Sequence, residues 1–327
     1  MTADRSRGAV LITGASTGIG AACALHLDRL GFRVWAGVRR PTDGEALAGQ
    51  ASPRLTPVIL DVTHSNSIAT ALAGVGADAG GDGLVGLVNN AGIVVAAPVE
   101  ILPIAELRKQ LEVNVIGLVA VTQAALPLLR RGRGRVVNIG SISGRMATPV
   151  IGAYAASKFA VEALTDALRV EVQPWGIDVA LIEPGAVATP IWEKSRAAGL
   201  ALRQAWTPDA EGLYADALSA VERDAARSAR QAISPDAVVR AVAHTLTAPR
   251  PKTRYLVGTA ARVQAIIALL PDRLRDPSSR APSASPGPAR SADPTPGRVG
   301  ATGRVRAPAE PATPSGYRCL RSSSRPI

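Results

Sequence analysis

Short apolar runs alternate with longer amphipathic stretches over most of this chain. That is the pattern of strands buried on both faces and helices packed over them. Seven segments predict strands: Ala9 to Ile12, Phe32 to Val38, Val58 to Val62, Leu84 to Val88, Arg135 to Ile139, Ile177 to Ile182 and Arg254 to Gly258. Between them, Ala21 to Leu27, Ser67 to Val75, Glu106 to Leu129, Ile151 to Gln173 and Pro235 to Thr247 predict helices. Within 151–173, Phe159, Ala163, Ala167 and Val170 recur at three- and four-residue spacing and predict that helix's apolar face. Ala260 to Leu270 predicts a last amphipathic helix, with Val263, Ile266, Ile267, Leu269 and Leu270 apolar, too short to span a bilayer. The alternation predicts an α/β chain with one doubly wound Rossmann domain, a mainly parallel seven-stranded sheet and helices on both faces.

The pattern stops at Asp272, which divides the chain into a folded domain, 1–272, and a tail, 273–327. The tail is rich in Pro, Ser, Arg, Ala and Gly, without apolar periodicity, and predicts disorder. Its ten arginines stand against three acids, so it carries most of the chain's net charge of +11. Nucleic-acid binding is not expected, because the tail's charges are dispersed among prolines, with one aromatic, Tyr317, and no lysine. Cys23 and Cys319 are too few and too separated for a disulfide framework, and His26, His64 and His244 are too scattered to suggest a metal site. Met1 to Gly8 is polar and leads directly into the first strand, so neither a signal peptide nor a membrane span is expected, and the cytoplasm is the default location.

Candidate chemistry begins where the first strand ends. Thr13-Gly14-Ala15-Ser16-Thr17-Gly18-Ile19-Gly20 joins that strand to a helix, an arrangement that sets backbone N–H groups and a positive helix end against a pyrophosphate. Its spacing is G-x-x-x-G-x-G. The second strand ends at Val38, followed by Arg39 and Arg40. No acid stands there to repel a 2′-phosphate and Arg39 can pair with one, which favours NADP(H) while leaving NAD(H) possible. Further on, Tyr154 and Lys158 lie one helical turn apart, with Ser141 thirteen residues before the tyrosine. An ammonium beside a phenol favours the phenolate, and a phenol tuned downward can exchange a proton with an alcohol or carbonyl.

Thr13 to Gly20, Asn89-Asn90-Ala91-Gly92, Asn114, Ser141, Tyr154, Lys158 and Pro184-Gly185 together resemble the classical short-chain dehydrogenase/reductase family over roughly residues 5 to 272. Val88 to Ile93, Gly144 to Ala147 and Lys158 to Ala163 look most like its branch of retinol, hydroxysteroid and 3-hydroxybutyrate dehydrogenases. The resemblance implies an enzyme that interconverts an alcohol and its carbonyl by hydride transfer. Asp61 and Val62 would meet the adenine, Asn90, Ala91 and Gly92 would neighbour the cofactor, and Asn89 would steady the sheet. A helix break at Asn114 would expose a carbonyl to a water connected to Lys158. Ser141, favoured over Ser143 by its spacing, would bind the substrate oxygen. Tyr154 would move the proton, and Lys158 would hold the nicotinamide ribose. Pro184 and Gly185 begin a segment that would close over the nicotinamide, with Val187 and Thr189 touching it.

The same resemblance makes residues from about 190 to 234 a substrate lid. Trp192, Leu200, Leu202, Trp206, Leu213, Tyr214 and Leu218 would either wall an apolar pocket or pack upon one another. The substrate would be a steroid, a retinoid or another small hydroxy compound. Helices 106–129 and 151–173 would pair in a homodimer or homotetramer. Three other readings remain: a short-chain hydroxy-acid dehydrogenase, an epimerase or dehydratase, and a non-catalytic regulator that binds NADP(H).

Overall fold

The computed structural model describes residues 7–275. Seven strands form one sheet: β1 (Ala9–Ile12), β2 (Arg33–Val38), β3 (Leu55–Ile59), β4 (Leu84–Asn89), β5 (Arg135–Ile139), β6 (Asp178–Pro184) and β7 (Arg254–Val257). Their order is β3-β2-β1-β4-β5-β6-β7, and every neighbouring pair is parallel. The chain builds outward from β1 in one direction, then returns to β1 and builds in the other. Ligands of such sheets bind at that reversal, outside the carboxyl ends of the strands.

Helices cover both faces: α1 (Gly18–Arg29), α2 (Pro41–Ala48), α3 (Ser65–Ala79), α4 (Ile104–Leu111), α5 (Gly117–Gly132), α6 (Gly152–Glu171), α7 (Ile191–Arg203), α8 (Pro208–Arg230), α9 (Pro235–Thr247), α10 (Thr259–Ile267) and the single turn α11 (Asp272–Arg275). Side chains alternate across a strand, so β1 feeds two core layers. Val10 and Ile12 pack with Cys23, Ala24 and Leu27 of α1 and Val238, Val239 and Val242 of α9. Ala9 and Leu11 pack with Leu72 and Val75 of α3 and Val121, Ala125 and Leu129 of α5. Each fully buried aliphatic chain in these layers contributes about 1.5–3 kcal/mol.

Four elements differ from the sequence reading. The third strand lies three residues earlier than expected, and Leu60 to Val62 lead out of it. It contains Pro57, which lacks an N–H donor. Such a residue is tolerated because β3 is the sheet's edge and pairs only with β2. Helix α2 was not anticipated, although Pro41 at its first position is a start signal. Its Gly44 lowers helix propensity, yet a Cβ there would lie 2.7 Å from Pro57 Cβ.

The segment expected as one helix is broken into α4, a π turn (Glu112–Ile116) and α5. Together, Ile104–Gly132 is long and apolar enough to cross a membrane by length and composition, and 39% of its most apolar window is buried. Its inner face is part of the core described above. The fourth difference is α6, whose expected apolar stripe points outward: Phe159 is 45% and Val170 60% exposed. The inner face instead carries Ala153, Tyr154, Ala155, Ser157, Lys158, Val161 and Thr165. The expected tail, from residue 276 onward, lies outside the described residues.

Candidate active site

The turns after β1 and β4 are clipped together at the point of strand reversal. Thr13 Oγ1 accepts from the N–H groups of Asn90 and Ala91, both at 3.0 Å. Asn90 Nδ2 donates back to the carbonyls of Thr13 and Gly14, at 3.0 and 2.9 Å. The Asn90 side chain is thus spent on shaping the turn. Gly14 has φ +64°, and a Cβ there would lie 2.8 Å from Ala91 Cα. At Gly20 a Cβ would lie 2.3 Å from the Gly14 carbonyl, so α1 enters flush against the turn. Thr17 begins α1 in extended conformation, and its side chain makes no capping hydrogen bond. The first-turn N–H groups therefore face outward together with the positive end of the helix. A turn closed to side chains beneath an uncapped helix start fits the pyrophosphate of a dinucleotide.

Beside this turn is a cavity of about 340 Å³ lined by Ser16, Thr17, Arg39, Arg40, Asp43 and Lys194. Arg40 donates to both Asp43 oxygens, at 3.0 and 2.7 Å. That hydrogen bonding holds the Asp43 carboxyl below its usual range, helped by the fields of Arg40, Lys194 and Arg39. With Arg40 engaged, Arg39 is the cation after β2 best placed for a phosphate. Asp61 follows β3. Burial alone would raise its carboxyl, but hydrogen bonds from the Thr63 N–H and hydroxyl, at 2.9 and 2.7 Å, carry it below its usual value. Val62 is buried in the core, against the start of α5.

Tyr154 and Lys158 lie one turn apart on the buried face of α6, and Ser141 sits just past the end of β5. The Ser141 hydroxyl is close enough to the Tyr154 phenol to act on its ionisation, and it accepts from the Ser143 N–H at 3.1 Å. Lys158 Nζ donates to the Ile139 carbonyl at 2.7 Å and lies 5.8 Å from the tyrosine ring centre. Burial pushes the Tyr154 phenol above its ordinary value, with Ser141 opposing. Burial also brings the Lys158 ammonium down to about 8, with Glu162 opposing. The expected depression of the phenol by Lys158 is therefore not met. The ammonium is aimed at a backbone carbonyl, and desolvation dominates both groups.

Asn114 lies in the π turn between α4 and α5. Its Oδ1 accepts from the Ile93 N–H at 2.9 Å, and its Nδ2 donates to the Ile93 carbonyl at 3.1 Å and to Ser157 Oγ at 3.0 Å. Ser157 Oγ donates to the Tyr154 carbonyl at 2.7 Å. The side chain ties the segment after β4 to the tyrosine helix, while the π turn supplies the helix irregularity expected at this position.

Sequence reading missed most of the support beneath these groups. Asn89 Nδ2 donates to Thr122 Oγ1 and Asn138 Oδ1, and Asn138 Nδ2 donates to Thr165 Oγ1 of α6, all at 2.9 Å. Gln110 bridges Val95 N–H and Ile93 O, at 2.7 and 2.9 Å.

Past β6, Gly185 donates to the Val257 carbonyl, and Val187 forms an isolated parallel bridge with Ile233. Trp192 Nε1 donates to the Val187 carbonyl at 3.0 Å, leaving the indole 40% exposed beside that segment. Thr189 packs over Gly18. Of the other apolar residues of the expected lid, Leu200 and Leu213 are exposed, at 51% and 76%, whereas Leu202, Trp206, Tyr214 and Leu218 are half-buried. Helix α8 is tied down where the Tyr214 hydroxyl donates to the Glu100 carboxylate.

A parallel sheet that reverses at a glycine turn, with a serine, tyrosine and lysine gathered past its carboxyl edge, defines a dinucleotide-binding oxidoreductase of Rossmann type. Residues 8–199 match the family model for short chain dehydrogenase, and the chain belongs to that family. It is 39% identical to human (Homo sapiens) retinol dehydrogenase 16 over 259 residues, covering 78% of this chain and 81% of that protein. It is 37% identical to human 17-beta-hydroxysteroid dehydrogenase type 6 over 276 residues, covering 82% and 86%. A solved short chain dehydrogenase from Burkholderia cenocepacia in complex with NADP superimposes with a TM-score of 0.61 at 26% identity, covering 80% of this chain and 92% of that one.

Proposed function

We propose that this protein is an NADP(H)-dependent oxidoreductase that interconverts an alcohol and its carbonyl on an apolar substrate of steroid or retinoid type. The observation that carries this reading is the buried grouping of Ser141, Tyr154 and Lys158 past the end of β5. The similarity to a retinol and a hydroxysteroid dehydrogenase supports the substrate class.

The bound nicotinamide would supply or accept the hydride. Gly14, Ser16, Thr17, Gly18, Ile19 and Gly20 would hold its pyrophosphate, and Arg39 its 2′-phosphate. Asp61, Val62, Ala91 and Gly92 would flank the adenosine half, with Asn90 holding the turn in shape. Pro184, Gly185, Val187 and Thr189 would cover the nicotinamide half. The Ser141 hydroxyl binds the substrate oxygen and stabilises charge developing there. Tyr154 gives its phenolic proton to that oxygen in reduction and takes it back in oxidation. Lys158 holds the ribose, and Asn114 fixes the helix break beside it. Trp192 offers an apolar surface at the mouth.

We further assign residues 1–272 as the catalytic domain and about 190–234 as its lid. A homo-oligomer would form through the helical segments 106–129 and 151–173, in the cytoplasm. Tyr154→Phe tests the site. Turnover of retinoid and steroid alcohols should fall about 100-fold or more, while NADPH titration by nicotinamide fluorescence stays unchanged. Retained turnover would sink the assignment of Tyr154. NADPH binding with no turnover of any alcohol or carbonyl by the wild-type protein would favour the regulator reading.

A further inference from the structure

We infer that Lys194, on α7, is a second phosphate-binding cation that joins Arg39 around the 2′-phosphate of the cofactor, so that NADP(H) fastens the lid helix to the glycine turn and NAD(H) does not. The inference rests on the NADP(H) reading above and extends it to a residue on a separate element.

The cavity beside the turn is built from three places in the chain: Ser16 and Thr17 on the turn, Arg39, Arg40 and Asp43 after β2, and Lys194 on the lid. Three cations face one carboxylate there, and Arg40 occupies both oxygens of that carboxylate. Among the described residues, neither Arg39 nor Lys194 is placed in a hydrogen bond or ion pair by its side chain. Both are near enough for their charge to act on Asp43. The cavity thus holds two cations in excess, and a phosphate ester carrying nearly two negative charges would balance them.

The lid is already seated for this. Thr189 Cβ and Cγ2 lie 3.2 Å from the position a Gly18 Cβ would take, and the Lys194 N–H donates to the Pro190 carbonyl at 3.1 Å in the first turn of α7. A lysine at that place swings a point charge over the cavity on a flexible stem, and it can follow a phosphate without demanding one geometry. A cofactor with only a 2′-hydroxyl offers it no charge.

The test is titration of NADPH and NADH into wild-type protein, Lys194→Met, Lys194→Arg and Arg39→Ala. Lys194→Met should weaken NADPH about ten-fold or more and leave NADH unchanged, as loss of one charge-assisted contact predicts. Lys194→Arg should restore most of the preference. Chymotrypsin cleavage within α7, at Trp192 and Leu200, should be slowed by 2′,5′-ADP more than by 5′-ADP in wild type, and equally by both in Lys194→Met. If Arg39→Ala loses NADPH preference while Lys194→Met keeps it, the role of Lys194 is overturned and the NADP(H) reading stands. If the wild type binds both cofactors equally and Arg39→Ala changes nothing, the NADP(H) reading falls and this inference falls with it. Equal loss of both cofactors in Lys194→Met would show a structural role and also overturn it.

Discussion

Burial acts on Tyr154 and Lys158 in the same chemical sense, because it favours the uncharged form of each. A protonated phenol is the form that donates a proton to a carbonyl oxygen. For stability the sign is definite. Lys158 ionises at about 8 in the fold against 10.5 when free, so its charge costs stability below about 8, and that cost fades as pH rises from there to 10.5. Lys158→Met should flatten the rise in Tm across that window while abolishing turnover. A Tm profile identical to wild type would show that Lys158 is not desolvated. Ser141, Tyr154 and Lys158 were legible in the sequence because their spacing is local. The pairing of Asn89 with Asn138 was not, since it exists only once β4 and β5 align in register, with Asn89 opposite Asn138.

Helix α6 shows why periodicity misled at the scale of the element. Its apolar stripe was real, but the face that packs inward serves the site and the Asn138 network, and the stripe is left outside. That outward face supports the proposed subunit contact. Phe159→Glu should convert the oligomer to a smaller species in analytical ultracentrifugation. It should change monomer stability by no more than about 0.5 kcal/mol, as exposed substitutions usually do. An unchanged sedimentation coefficient would place the contact elsewhere.

One turn beyond Lys158, Glu162 joins α6 to the sheet through Arg254 of β7, beside Glu183 of β6. Burial, with Glu183 adding to it against the pull of Arg254, lifts the Glu162 carboxyl from 4.5 to about 7. Its protonated form is therefore favoured in the fold, and stability should fall as pH rises from 4.5 through about 7. Glu162→Gln should flatten the Tm profile over that interval, and an unaltered slope would argue against the shift. The edge position that lets β3 carry Pro57 is likewise a property of neighbours. It explains why the boundaries of that strand escaped a reading of its own residues.

At the scale of the molecule, the alternation of apolar runs and amphipathic stretches predicted a doubly wound, mainly parallel sheet of seven strands with helices on both faces, and the sheet is of that kind. It did not predict the partner of α1. That helix, which opens the cofactor turn, packs against α9, more than two hundred positions further along. During synthesis the ribosome makes the cofactor turn more than two hundred residues before its backing. At about 5–20 residues per second, the intervening stretch takes roughly 10–40 s, during which Cys23, Ala24 and Leu27 have no lid of Val238, Val239 and Val242 over them. A nascent chain arrested before residue 235 should be bound by chaperones and should not retain NADPH, and one arrested after residue 247 has emerged should bind it. The enzyme would thus acquire its nucleotide only after α9 has emerged, and the demand it places on the cell's folding machinery would be set by the distance between two helices rather than by the strength of either.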